Sequence, residues 1–269
     1  MAGGDAELLG PGDPPPVEVR DRAADGPVIV TCDHASNRVP AALGDLGLSR
    51  ADLDSHFGWD IGAAEMAAAA AAALGAPAVY CGYSRLVIDC NRPQDAADSI
   101  VPRIDGRPVP GNTALDERQR QLRGREIFSA YHAAIAMLMD QRARRGLPNS
   151  LVCMHSFTPV FGGVRRPWHV GISYGRRGRL ARALLAELRR DGDLVVGEHE
   201  PYPVEVESDF AVPVHGDLRG NEAVLVEVRQ DLLADAASAR RWGTRLAAAL
   251  RDAIAACELE VGVAPAGEL

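Results

Sequence analysis

The chain contains no lysine: all 29 of its basic residues are arginine. That absence excludes Schiff-base catalysis, pyridoxal-phosphate anchoring and a P-loop lysine, and leaves a planar guanidinium fork suited to carboxylates. Aromatic residues supply only 5% of the 269 positions, so the core must be built from Ala, Val and Leu. The five cysteines are odd in number, show no C-x-x-C spacing and mostly sit in apolar runs. This speaks against a disulfide framework and for a reducing cytoplasm. Long apolar runs are missing too, since the Ala-rich stretch at 63–74 is too short to span a bilayer. The stretch 1–16 lacks the basic-then-apolar order of a secretory signal. Nor is there an excess of positive charge: the net charge of −8 and a pI near 5.4 argue against nucleic acid or an anionic membrane as partner.

What the chain does have is two buried-type strands that break off in polar residues. Val28-Ile29-Val30-Thr31-Cys32 runs into Asp33-His34-Ala35-Ser36-Asn37-Arg38, and Leu151-Val152-Cys153-Met154 runs into His155-Ser156-Phe157-Thr158-Pro159. Polar groups at the carboxyl ends of buried strands are where open α/β sheets place ligands. Neutral imidazole is the commonest metal-binding side chain, so His34 and His155 on one sheet edge suggest a metal site completed by a carboxylate. The bland alternative is a pair of hydrogen-bonded polar residues without a ligand.

The lead-in, residues 1–24, is rich in Gly, Asp and Pro and predicts disorder; residues 25–260 fit one domain. Residues 49–54 predict a capped helical turn leading to His56, and a helix follows from 61 to 74 with Gly75 as its left-handed stop. Asp60, at the start of that helix, is either its N-cap or the carboxylate of a His-His site. Residues 78–80 and 84–90 read as strands, the second ending in Asn91-Arg92-Pro93. Asp89, Asn91 and Arg92 then make either a solvated loop or a substrate clamp. Residues 94–112 form a long irregular loop, a functional lid or disordered. A long helix opens at Thr113 to Asp116 and closes in arginines and Gly146, with His132 a structural residue beside its apolar stripe. Beyond lie a mobile turn at 162–168, a strand at 169–174, a helix at 180–190, a strand at 194–196, a Pro-punctuated loop at 198–216, a strand at 224–229 and a closing helix at 236–257. The alternation predicts an α/β domain of three layers, helices sandwiching a mixed or parallel sheet.

Alternation in the last strand puts Glu227 on the face of Leu225, while Val226 and Val228 point the other way. A carboxylate in apolar surroundings must be paired, with Arg229 the ready partner, or must act as a general base with a raised pKa. Two strand-end histidines, a spare carboxylate, a buried Glu and an Asn-Arg pair together describe metal-assisted hydrolysis of an amide that carries a carboxylate, held by Arg92.

Five segments carry a resemblance: residues 33–40 (DHASNRVP), 58–63 (GWDIGA), 84–93 (SRLVIDCNRP), 155–159 (HSFTP) and 227–232 (EVRQDL). In order and content they resemble the N-formylglutamate amidohydrolase family, from about Val28 to Leu232. The resemblance implies a fold similar to the zinc-dependent exopeptidases, one zinc ion per chain, and release of formate from N-formyl-L-glutamate by a cytoplasmic enzyme. By likeness to the wider carboxypeptidase and aspartoacylase group it implies that Asp89-x-Asn91-Arg92 binds the substrate carboxylate and that Glu227 is the general base. The first metal motif there is His-x-x-Glu, and Asn37 takes the Glu position here; Asp60 is therefore the expected ligand beside His34 and His155, with Asp33 in reserve. Arg85 is expected to stabilise the oxyanion. His56, Tyr174, His215 and Arg229 are expected in the pocket, and His169 and His199 on the surface or in loops. A carboxypeptidase-like peptidase acting on short peptides and a binding protein without chemistry are the competing readings.

Overall fold

The apolar β-branched runs of the sequence supply the strands, and the computed structural model describes residues 7–190 and 192–262. In chain order the strands are β1 (Val17–Arg20), β2 (Val28–Cys32), β3 (Ala78–Cys81), β4 (Arg103–Ile104), β5 (Arg107–Pro108), β6 (Ser150–Phe157), β7 (Val160–Phe161), β8 (Val164–Arg165), β9 (Val170–Ser173), β10 (Val196–Glu198) and β11 (Ala223–Arg229). The α-helices are α1 (Arg50–Asp54), α2 (Ala63–Leu74), α3 (Glu117–Arg123), α4 (Ala130–Arg144), α5 (Arg179–Arg190) and α6 (Ala236–Gly262). Seven strands make one sheet in the order β1-β3-β2-β6-β11-β9-β10. The central β3, β2, β6 and β11 are parallel, while β1 at one edge and the β9–β10 pair at the other run against them. The sheet is mixed, as expected.

The pleat divides the core in two. Val28, Val30, Val152, Met154, Val224 and Val226 pack with α2, α5 and α6. Ile29, Leu151, Cys153 and Leu225 pack on the other face with Tyr131, Ile135 and Leu138 of α4. His155 and Glu227 continue this second series one pleat further along β6 and β11. The α4 face thus passes from apolar to ionisable at the carboxyl ends of the parallel strands.

Several segments depart from expectation. The lead-in is not disordered from residue 7 onward: β1 pairs with β3, Leu8 is buried, and the Tyr83 hydroxyl donates to the Pro14 carbonyl at 2.6 Å. Buried Arg142 secures its end, donating to the carbonyls of Ala24 at 2.8 Å and Gly26 at 2.5 Å. Residues 1–6 lie outside the described residues. Residues 84–90 are turns and not a strand, because the Ser84 Oγ accepts the Leu86 amide at 3.1 Å and the Ser84 carbonyl accepts that of Val87 at 2.9 Å. Leu86, Val87 and Ile88 are nonetheless buried, and an apolar run alone does not separate a strand from a buried turn. The 94–112 loop is no lid: Asn112 is buried and donates to the Leu86 and Val101 carbonyls, and the β4–β5 hairpin sits within the loop. The predicted long helix forms as α3 and α4, capped at Asp116 and joined through a π turn at Gly124–Ser129. Among the described residues no helix is long and apolar enough to cross a membrane.

Candidate metal centre

His34 follows the end of β2, and His155 lies in β6 directly opposite Glu227 of β11. The two imidazoles meet edge to face with centroids 4.9 Å apart. Between them comes Asp60, whose Oδ2 is 3.2 Å from His34 Nδ1 and 2.8 Å from His155 Nδ1. Each ring is held from behind by a second carboxylate: His34 Nε2 lies 2.8 Å from Asp89 Oδ1, and His155 Nε2 lies 3.1 Å from Asp33 Oδ2. Asp33 also accepts the Tyr131 hydroxyl at 2.5 Å. All of these side chains are buried.

The proton inventory says what this arrangement fits. With Nε2–H donated to Asp89 and Asp33, both Nδ1 atoms carry lone pairs and face a carboxylate oxygen that can only accept. The two Nδ1 lone pairs and the Asp60 oxygen then converge with no proton between them unless a ring is charged, the Ser156 amide at 3.3 Å being the one donor to that oxygen among the described residues. A divalent cation satisfies all three, with one ligand atom each from His34, Asp60 and His155 lying within 4.8 Å of one another. The rear carboxylates fix the tautomers, as they do around protein-bound metals. Without the ion, burial opposes charging of His155, but Asp33 and Asp60 raise its pKa well above the ordinary value. Burial would also raise Asp60, yet His34 and His155 hold its carboxyl well below the carboxylate range.

Asp60 does not cap α2. That helix begins with Gly62 as its N-cap, in the left-handed region at φ 77°, where an added Cβ would come within 2.5 Å of Leu233. No helix amide reaches the Asp60 side chain, which instead accepts from Arg85 and the Ser156 amide. Asn37 turns away and donates to Asp54 at 2.6 Å.

Glu227 is 6% exposed, and its Oε2 has no hydrogen-bond partner among the described residues. Burial pushes its carboxyl up to about 7. Arg229 is not its partner, because that guanidinium pairs with Asp231 at 2.8 Å. Arg85 grips Asp89 Oδ2 with Nε at 3.1 Å and Nη2 at 2.7 Å, and its Nη1 makes a looser 3.4 Å contact with Asp60.

A pocket of about 390 Å³ opens over this centre, walled by His56, Arg92, Phe157, Phe161, Tyr202 and Asp209. Asn91 and Arg92 line it, but both brace the 208–211 segment. The Asn91 Nδ2 donates to Asp209 at 3.0 Å and its Oδ1 accepts the Ala211 amide at 3.1 Å. Arg92 pairs with Asp98 at 3.1 Å and donates to the Ser208 carbonyl. Three expected pocket residues lie elsewhere. Tyr174 donates to Glu198 at 2.8 Å and packs on His199. His215 is carried away by a π turn at Val212–Asp217 and is buried 3.0 Å from His132 Nδ1. Arg229 holds backbone carbonyls outside the cavity. Asp209 and Tyr202 were not foreseen, since both come from the Pro-punctuated loop, whose path no periodicity fixes.

The N-formylglutamate amidohydrolase family model matches residues 26–234. The chain belongs to this family. The gene product Atu2144 from Agrobacterium tumefaciens is similar over 94% of this chain and 100% of its own, with 32% identity and a TM-score of 0.90. The N-formylglutamate amidohydrolase from Ralstonia eutropha JMP134 shares the fold, at 17% identity and a TM-score of 0.60 over 92% of this chain and 99% of its own. No curated protein matches significantly. Family membership makes amide hydrolysis the reaction class, and the five segments that carried the resemblance supply His34, Asp60, Arg85, Asp89, His155 and Glu227 to one hollow.

Proposed function

We propose that this family member is a metal-dependent amidohydrolase that cleaves the amide of an N-acyl amino acid, with N-formyl-L-glutamate the first substrate. One observation carries the reading: three acceptor atoms from His34, Asp60 and His155 converge beside an unpartnered carboxyl oxygen of Glu227. A divalent ion, zinc first, would be held by those three residues and would supply an acidified water and a polarised carbonyl. Glu227 takes the proton from the attacking water as its oxygen bonds to the acyl carbon, and returns that proton to the amine nitrogen as the C–N bond breaks. The products are formate and the free amino acid. Arg85 Nη1, the least tightly held donor of that guanidinium, faces the developing oxyanion. Cys32, Cys81, Cys90 and Cys153, all buried thiols, support a reducing, cytoplasmic setting.

The test is formate release by zinc-loaded protein, read beside metal content. His34→Ala and His155→Ala should each lose zinc and activity together. Glu227→Gln should keep zinc and lose roughly 10²–10⁴-fold in kcat. Full turnover by both histidine variants would sink the reading, and faster cleavage of dipeptides than of N-formyl amino acids would shift it to a peptidase.

A further inference from the structure

Two arginines, Arg85 and Arg92, line the pocket, and a third, Arg166, packs against residues of its wall and has no acid of its own among the described residues. Arg85 is paired with Asp89 and Asp60, and Arg92 with Asp98 and Asp209. Arg166, in the turn after β8, has no carboxylate partner among the described residues; it donates to the Tyr202 hydroxyl at 2.8 Å and reaches the Thr158 carbonyl at 3.4 Å. Its guanidinium lies over the rings of Phe161 at 4.7 Å, Tyr202 at 4.8 Å and Phe157 at 5.8 Å. All four of these contact residues line the pocket. Stacking holds a guanidinium by its faces and leaves edge N–H groups for a planar acid. The backbone is held as well, because Arg229 Nη1 lies 3.4 Å from the carbonyls of Arg166, Pro167 and Trp168.

Depth and charge give this cation a task. The floor, with His34, His155 and Glu227, is buried, whereas Phe161 is 56% and Tyr202 40% exposed, so Arg166 stands at the rim. The wall between carries Glu205 and Asp209, of which Arg92 offsets only the second, so an anion there is favoured by a further cation. The group of a bound substrate that reaches the rim is the one farthest from the scissile amide. We propose that Arg166 is a specificity-determining residue that binds the side-chain carboxylate of an N-acylated acidic amino acid. This rests on the amidohydrolase reading above.

The experiment separates the two. Calorimetry on zinc-loaded protein compares L-glutamate with L-glutamine, which differ only in the side-chain acid. Wild type should bind glutamate about tenfold tighter or more, the scale of a lost charge-assisted hydrogen bond. Arg166→Gln should abolish the preference and Arg166→Lys should restore part of it. In turnover, Arg166→Gln should raise KM for N-formyl-L-glutamate about tenfold, keep kcat, and leave N-formyl-L-glutamine unchanged. A preference that survives in Arg166→Gln, or is missing from wild type, overturns the assignment. If wild type releases no formate from any N-acyl amino acid, the amidohydrolase reading fails, while the glutamate preference still decides the role of Arg166.

Discussion

Asp33 and Asp89 stand behind the two histidines and set which nitrogen each can offer. The effect of removing one charge follows. In Asp33→Asn the His155 Nε2–H faces a neutral amide, the Nδ1 lone pair becomes less basic, and the Tyr131 hydroxyl loses its anionic acceptor. Zinc affinity should fall by about 10–100-fold, with secondary structure unchanged, as measured by competition against a chelator. An affinity equal to that of wild type would mean that Asp33 does not orient His155. At this scale His34, His155 and Glu227 were legible in the sequence, because each follows or interrupts an apolar run with a group that burial does not tolerate unpaired, whereas Asp60, equally readable as a helix cap, was singled out only through the family resemblance. Tyr174, His215 and Arg229 were misplaced for a common reason. Each was judged from its neighbours in the chain, whereas its partners, Glu198, His132 and the 166–168 carbonyls, come from other segments.

Elements follow the same logic one level up. The parallel strands and the amphipathic helices were legible because period two and period 3.6 survive in Val, Leu and Ala positions. Residues 84–90 were not, since a strand and a series of buried turns present the same apolar run. What holds those turns is Arg123, fully buried and without an acid partner among the described residues, which donates to the Val87 carbonyl at 3.0 Å, the Asn112 Oδ1 at 2.7 Å and the Gly111 carbonyl at 2.9 Å. One side chain from α3 thereby ties the segment carrying Arg85 and Asp89 to the 94–112 loop. Arg123→Met keeps the volume and leaves three acceptors unpaired, which should cost about 3 kcal/mol or more. Urea unfolding measures it, and Asp89 should lose its place behind His34, so zinc affinity should weaken as well. A variant as stable as wild type would show that these three bonds are replaced by water.

The molecule as a whole should lose stability in mild acid through a pair of buried histidines that do not line the pocket. His132 of α4 and His215 of the 212–217 turn bond to each other under Phe128 and Phe210. Burial pushes His132 down to about 4 in spite of Asp33. Burial, with His132 and Arg219 adding to it, pushes His215 down to about 3. Both stay neutral in the fold, while the unfolded chain takes up protons near the ordinary value of 6.5. The unfolded state then binds more protons, so stability is complete above pH 6.5 and falls as pH drops towards 4 and 3. A change from 6.5 to about 4 amounts to about 3 kcal/mol at one histidine, and the two are in contact, so their effects do not simply add. His34 and His155, whose values are raised, act with the opposite sign and lend stability in acid that is lost as pH rises. The difference between proteins isolates the buried pair. Between pH 7 and pH 4.5, wild type should lose at least about 2–3 kcal/mol more than the double variant His132→Gln, His215→Gln, the share of one histidine, and up to about 5 kcal/mol if both stay neutral, whatever the variant loses at pH 7 from its altered packing. Parallel pH profiles for the two proteins would show that the pair takes up protons in the fold as readily as in the unfolded chain.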